Sequence, residues 1–146
     1  MRLLQYNNEG EFSLTKDLFG DDIPDYAILS HIWGADTEEV TYRDMTDGTG
    51  KSKIGYKKIR FCREQARRDR LGYFWVDTCC IDKTNSVELQ EAINSMFRWY
   101  QEAKVCYVYL SDVHLEVNDD LGKLVIRESK WFNEAGRFKS FSRPTK

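Results

Sequence analysis

The chain has 146 residues, 14% aromatic and 32% charged, with a formal net charge of −2 at pH 7. That length predicts one domain with a real core, burying roughly 70% of the surface of the unfolded chain. The near-neutral charge argues against general attraction to nucleic acid or acidic membranes, and no apolar run reaches the ~18–20 residues of a membrane span.

The opening residues, Met1-Arg2-Leu3-Leu4-Gln5-Tyr6, turn polar too soon for a signal peptide, so a cytoplasmic chain is expected. Leu3, Leu4, Phe12, Leu14, Leu18 and Phe19 are scattered apolar anchors, punctuated by Gly10 and Gly20. They predict a short strand or hairpin and then a turn of helix. Tyr26-Ala27-Ile28-Leu29 is a continuous apolar run, as in a strand covered on both faces. It ends in Ser30, His31, Trp33 and Gly34. Residues 35–52 are polar and contain glycine, which predicts a long loop with Val40-Thr41-Tyr42 as a short edge strand.

Ile54, Ile59, Cys62 and Ala66 recur at helical spacing with Lys57, Lys58, Arg63, Arg67 and Arg68 around them. An amphipathic helix is expected over about 53–69. Arg67-Arg68-Asp69-Arg70 falls in its last turn, where cations complement the helix dipole; the other reading is an anion-binding patch. Gly72 is the expected C-cap. A second strand is expected over 73–81, which would turn Cys79 and Cys80 to opposite faces. Asn85 reads as an N-cap with Glu88 at N3, and Leu89, Ala92, Ile93, Met96, Phe97, Tyr100 and Ala103 predict a helix over 86–103. Residues 105–110 form the third strand, ending in Ser111-Asp112.

Strand, helix, strand, helix, strand makes these three strands parallel, with helices on the sheet faces. Ligands of such sheets bind outside the C-terminal strand ends. Three clusters converge there: Ser30/His31/Trp33/Gly34, Thr78/Cys80/Asp82/Lys83 and Ser111/Asp112. Beyond them, 118–122 reads as a loop, 124–126 as the start of another element, and Trp131 and Phe132 as anchors. The stretch 133–146 becomes basic and is expected to be disordered. Four cysteines (Cys62, Cys79, Cys80 and Cys106), no Cys-x-x-Cys and two histidines imply reduced thiols, and no metal site is expected.

Several blocks resemble the fungal heterokaryon-incompatibility (HET) domain family. Residues 26–34 are similar to its signature "YAILSHTWG". Residues 75–83 with 88–100 resemble the second block, and 105–113 the third. The resemblance covers about 1–132. The family's next segment, "GWTLQEL", has no counterpart after Phe132, which implies a domain cut short and a divergent tail at 133–146. The resemblance implies an α/β fold: a small flavodoxin/TIR-like three-layer domain with a mostly parallel sheet flanked by helices. It also implies a part in fungal non-self recognition, where such domains trigger growth arrest or cell death.

The more distant TIR comparison implies NAD as a candidate substrate, cleaved with the help of one glutamate. Such cleavage needs a carboxylate near the ribose and an aromatic wall. Glu88 is the catalytic candidate, with an N3 capping carboxylate as the alternative. Trp33 with Gly34 forms either a ligand wall or a turn with an aromatic plug. Asp77 is a crevice group or a buried hydrogen-bond acceptor. Cys80 is a nucleophile with His31 as base, or a buried structural thiol. Asp82 and Ser111 complete the crevice candidates. No cofactor is firmly implied. Two functions remain: an interaction module with protein partners or self-association, or an NAD glycohydrolase with a nucleotide ligand in the crevice. Neither involves nucleic acid or membrane.

Overall fold

The fold is described from a computed structural model, for residues 1–7 and 9–110. Contacts divide the chain into two units, Met1–Val108 and Tyr109–Lys146. The first unit carries the sheet and helices, with Tyr109 ending its last strand. The expected boundary at residue 132, Ser111, the features at 118–132 and the tail at 133–146 lie outside the described residues.

Five strands, β1 (Leu4–Tyr6), β2 (Phe12–Leu14), β3 (Ala27–His31), β4 (Tyr73–Trp75) and β5 (Val105–Tyr109), form one sheet in the order β2-β1-β4-β3-β5. The helices are α1 (Tyr42–Asp47), α2 (Tyr56–Arg68), α3 (Asp77–Cys80) and α4 (Ser86–Glu102), with a 3-10 turn at Gly20–Asp22. β3 and β4 pair in parallel across the α2 crossover, as expected. β1 runs antiparallel to both β2 and β4. The sheet is therefore mixed rather than mostly parallel. Its extra strands come from the N-terminal hairpin, whose short turn forces antiparallel pairing and whose β1 covers the free edge of β4.

Side-chain alternation sets the layers. Phe74 faces Phe12 at 5.8 Å between ring centroids, and Phe12 faces Tyr56 of α2 at 5.7 Å. The next residue, Trp75, points the other way, to Trp99 and Tyr100 of α4 at 5.5 and 6.3 Å. β3 follows in register, Ala27 beside Phe74 and Ile28 beside Trp75. Tyr26 thus shares the α4 face, and its hydroxyl donates to the Trp99 carbonyl at 2.6 Å. The result is an α/β sheet with α2 on one face and α4 on the other. Leu3, Leu4, Ala27, Ile28, Leu29, Phe74 and Trp75 are buried in it.

Three local expectations need correction. The second strand stops at Trp75, and residues 77–80 turn into α3. The Val76 carbonyl accepts from the Cys80 N–H at 2.9 Å, so Cys79 and Cys80 sit in one helical turn, both buried, instead of on opposite faces of a strand. The supposed loop at 35–52 holds α1, not an edge strand. Thr41 caps it in a box with Asp44, and Gly48 ends it in the left-handed conformation at φ 72°. Thr-x-x-Asp followed by glycine is a legible helix signal in a stretch whose polarity and glycines otherwise read as loop, and the helix buries no residue.

The third correction concerns the end of α2. Arg70, not Gly72, takes the left-handed conformation there, at φ 60°. Leu71 N–H donates to the Ala66 carbonyl at 2.8 Å and Arg70 N–H to that of Arg67 at 3.1 Å, the paired bonds of a Schellman motif. A side chain is strained at that position, so Arg70→Gly is expected to stabilise the fold by about 0.5–1 kcal/mol in urea melts. Among the described residues no helix is long and apolar enough to cross a membrane.

Candidate functional site

The C-terminal end of β3 carries a chain of buried charges. Alternation turns His31 to the α2 face, where Lys58 meets it. Lys58 is 6% exposed and sits on the buried arc of α2 with Cys62 and Ala66 at every fourth residue. Its three ammonium donors meet three acceptors, the Ile32 carbonyl at 2.7 Å, His31 Nδ1 at 3.2 Å and Glu39 Oε1. Glu39, 7% exposed, also accepts from the Gly34 N–H at 2.7 Å. With Nδ1 accepting from Lys58, the His31 proton sits on Nε2 and is donated to Asp77 Oδ1 at 2.7 Å. The other Asp77 oxygen accepts from the Trp33 indole at 2.8 Å. The Trp33 ring is 57% exposed, with the Lys83 ammonium 3.7 Å from its centroid.

Asp77 reaches this place because it opens α3 immediately after β4, beside the end of parallel β3. Burial pushes its carboxyl up. The His31 hydrogen bond, the Lys83 ammonium and the Trp33 indole outweigh burial and hold the group below the ordinary carboxylate range. Asp44, which anchors the 39–53 segment through Lys53 at 2.7 Å, is opposed by burial but lowered to about 2 by Lys53, the Thr41 N–H and the Thr49 hydroxyl. A folded-state pKa below the unfolded 3.8 gives stability that is present above that value and lost as pH falls toward 2. Thermal melts should therefore show a steep acid limb between those two pH values, shallower in Asp44→Asn.

The remaining candidates are distributed differently. Ser30 points to the opposite face, where it hydrogen-bonds Tyr100, because neighbours on a strand alternate. Glu88 is held by the two terminal guanidinium nitrogens of Arg2 and accepts the Asp82 N–H at 3.1 Å. Arg2 also lies over the Tyr42 ring at 4.6 Å, so Glu88 ties the N-terminus, α1 and α4 together. Asn85 caps α4 as expected. The Asp82 carboxylate takes the Thr84 N–H and hydroxyl. The Cys80 thiol is buried and accepts the Val76 N–H at 3.4 Å. Both ring nitrogens of His31 are occupied by Lys58 and Asp77 rather than by a thiol. Burial pushes the Cys62 and Cys79 thiols up, which keeps them protonated at neutral pH. All four cysteines are free.

Sequence reasoning thus found His31, Trp33, Gly34 and Asp77, which the structure brings together. It missed Glu39 and Lys58. Lys58 was legible, since the spacing 58-62-66 places it on the apolar face of α2. Glu39 offered no such signal. Among the described residues no three His, Cys, Asp or Glu side chains converge as a metal site would require.

An α/β domain that gathers a closed polar network under an exposed tryptophan, at the ends of parallel strands, is the class these features define. The chain belongs to the heterokaryon incompatibility protein (HET) family, whose model matches residues 26–141 and so runs past Phe132. It is 55% identical over 149 aligned residues to "Vegetative incompatibility protein HET-E-1" of Podospora anserina. The alignment covers 99% of this chain and 11% of that protein's length. No solved structure matches significantly.

Proposed function

We propose that this chain acts inside fungal cells as a HET-type interaction module in heterokaryon incompatibility, with growth arrest or cell death as the outcome. Family membership and the likeness to a vegetative incompatibility protein support the setting. We read its layers as a small flavodoxin/TIR-like arrangement on the same grounds, with protein partners or a second copy as the ligand.

One observation carries the interaction reading. The ionisable groups of the crevice are bonded to one another, Glu39 to Lys58, Lys58 to His31 and His31 to Asp77, and Glu88 is taken by Arg2. Beside these groups the Trp33 ring faces solvent, held by the Asp77 carboxylate and the Lys83 ammonium. A rigid exposed tryptophan beside a cation is the kind of residue on which protein contacts concentrate.

Expression of the chain in a fungal host should arrest growth, and Trp33→Ala should abolish arrest while the purified variant still melts cooperatively. Wild-type arrest that persists unchanged in Trp33→Ala would count against the docking surface. Nicotinamide release from NAD by the purified chain, lost in a folded Glu88→Gln variant, would replace the reading with a catalytic one.

A further inference from the structure

A second feature lies at the opposite end of β4 from Asp77. A groove of about 340 Å³ is lined by Tyr6, Arg63, Arg67, Arg70, Leu71 and Phe74, and among the described residues no acidic one contributes to it. That volume is at the small end of ligand cavities, which span ~300–1,000 Å³. Its charge is arranged, not merely present. The Arg63 guanidinium is stacked 3.5 Å over the Tyr6 ring and paired with Glu64 at 3.2 Å. Arg67 and Arg70 have no carboxylate partner among the described residues. Asp69, between them in sequence, is engaged by the Tyr107 hydroxyl.

Complementing the helix dipole does not account for these guanidiniums. The Gln65, Ala66 and Arg67 carbonyls at the end of α2 already accept the N–H groups of Asp69, Leu71 and Arg70. Three of the last four carbonyls of the helix are therefore already satisfied, which lessens the bare negative charge that its end presents. Arg70 also holds the left-handed backbone at φ 60°, a strained position where glycine would be favoured. An arginine kept at such a position, beside a second arginine with no carboxylate partner among the described residues and an aromatic wall, has the chemistry of an anion clamp.

We propose that this groove binds a small organic phosphate with a flat body, of which a nucleoside 5′-monophosphate is the type compound. The phosphate lies between Arg67 and Arg70, and the flat apolar part rests against Tyr6 and Leu71. This site is separate from the crevice under Trp33, and the inference does not rest on the function proposed above.

The test is calorimetric titration of the full chain with AMP, inorganic phosphate and adenosine at about 0.15 M salt, where purely diffuse attraction is screened. AMP should bind at least about tenfold more tightly than either control, because both halves of the groove are then used. Arg67→Gln and Arg70→Gly should each weaken AMP about tenfold or more. Arg70→Gly should at the same time melt higher than the wild type, so its loss of binding cannot be ascribed to unfolding. Absence of AMP binding, binding no tighter than a control, or binding undisturbed in both variants would overturn the proposal and leave a solvated basic face.

Discussion

Lys58→Met is expected to lower the free energy of unfolding by roughly 3–5 kcal/mol, the largest effect of a single change at the site. The substitution preserves most of the apolar stem and deletes the ammonium. It leaves the Glu39 carboxylate buried with the Gly34 N–H as its remaining donor, and leaves His31 Nδ1 without the donor that fixes its tautomer. A buried charge deprived of its partner is far costlier than a missing pair. Domains of this size are stable by only ~5–15 kcal/mol, so the urea midpoint should fall by a large fraction. The double variant Lys58→Met/Glu39→Gln should recover part of the loss, giving a coupling of roughly 1–3 kcal/mol. A Lys58→Met protein within 1 kcal/mol of wild type would mean that water, not the protein, solvates this ammonium.

Gly55→Ala should destabilise by about 1–3 kcal/mol even though its backbone favours the replacement. Gly55 has helical angles, φ −61° and ψ −17°, where alanine would gain about 0.5–1 kcal/mol over glycine. Space decides the sign. An added Cβ would stand 2.7 Å from the Glu38 carbonyl oxygen and 2.8 Å from Glu39 Oε2. The carbonyl cannot swing aside, because it accepts the Gly55 N–H at 2.8 Å. The strain passes directly to Glu39, so Gly55→Ala and Lys58→Met should be non-additive in a double-variant cycle. Equal or greater stability of Gly55→Ala in urea melts would show that the segment around Glu39 yields easily.

The two variants also bear on how the site is built. Glu39 comes from the segment after β3, Lys58 from α2, and Asp77 from the start of α3. None touches another without the parallel β3–β4 pair beneath them. The Trp33 ring is presented on top of this arrangement, which is why weakening the buried charges should blunt any function that depends on that ring.

The sequence by itself determined α2, α4, the strands at 27–31 and 105–109, and the family. Each is written in spacing that a helix or strand reads within a few residues, and the family blocks are contiguous. The N-terminal hairpin and the Asn85 cap were legible for the same reason. Only the tertiary structure decided that the hairpin would join β4 and make the sheet mixed, and that the strand at Trp75 would give way to a helical turn. It also decided which polar residues meet. The Lys58–Glu39 bond spans 19 residues and the His31–Asp77 bond 46. Glu88 looked like a crevice carboxylate until Arg2, 86 residues away, was folded onto it. Local periodicity says which face a side chain occupies. The partner on that face is set by how distant elements pack, where the need to pair every buried charge selects one arrangement.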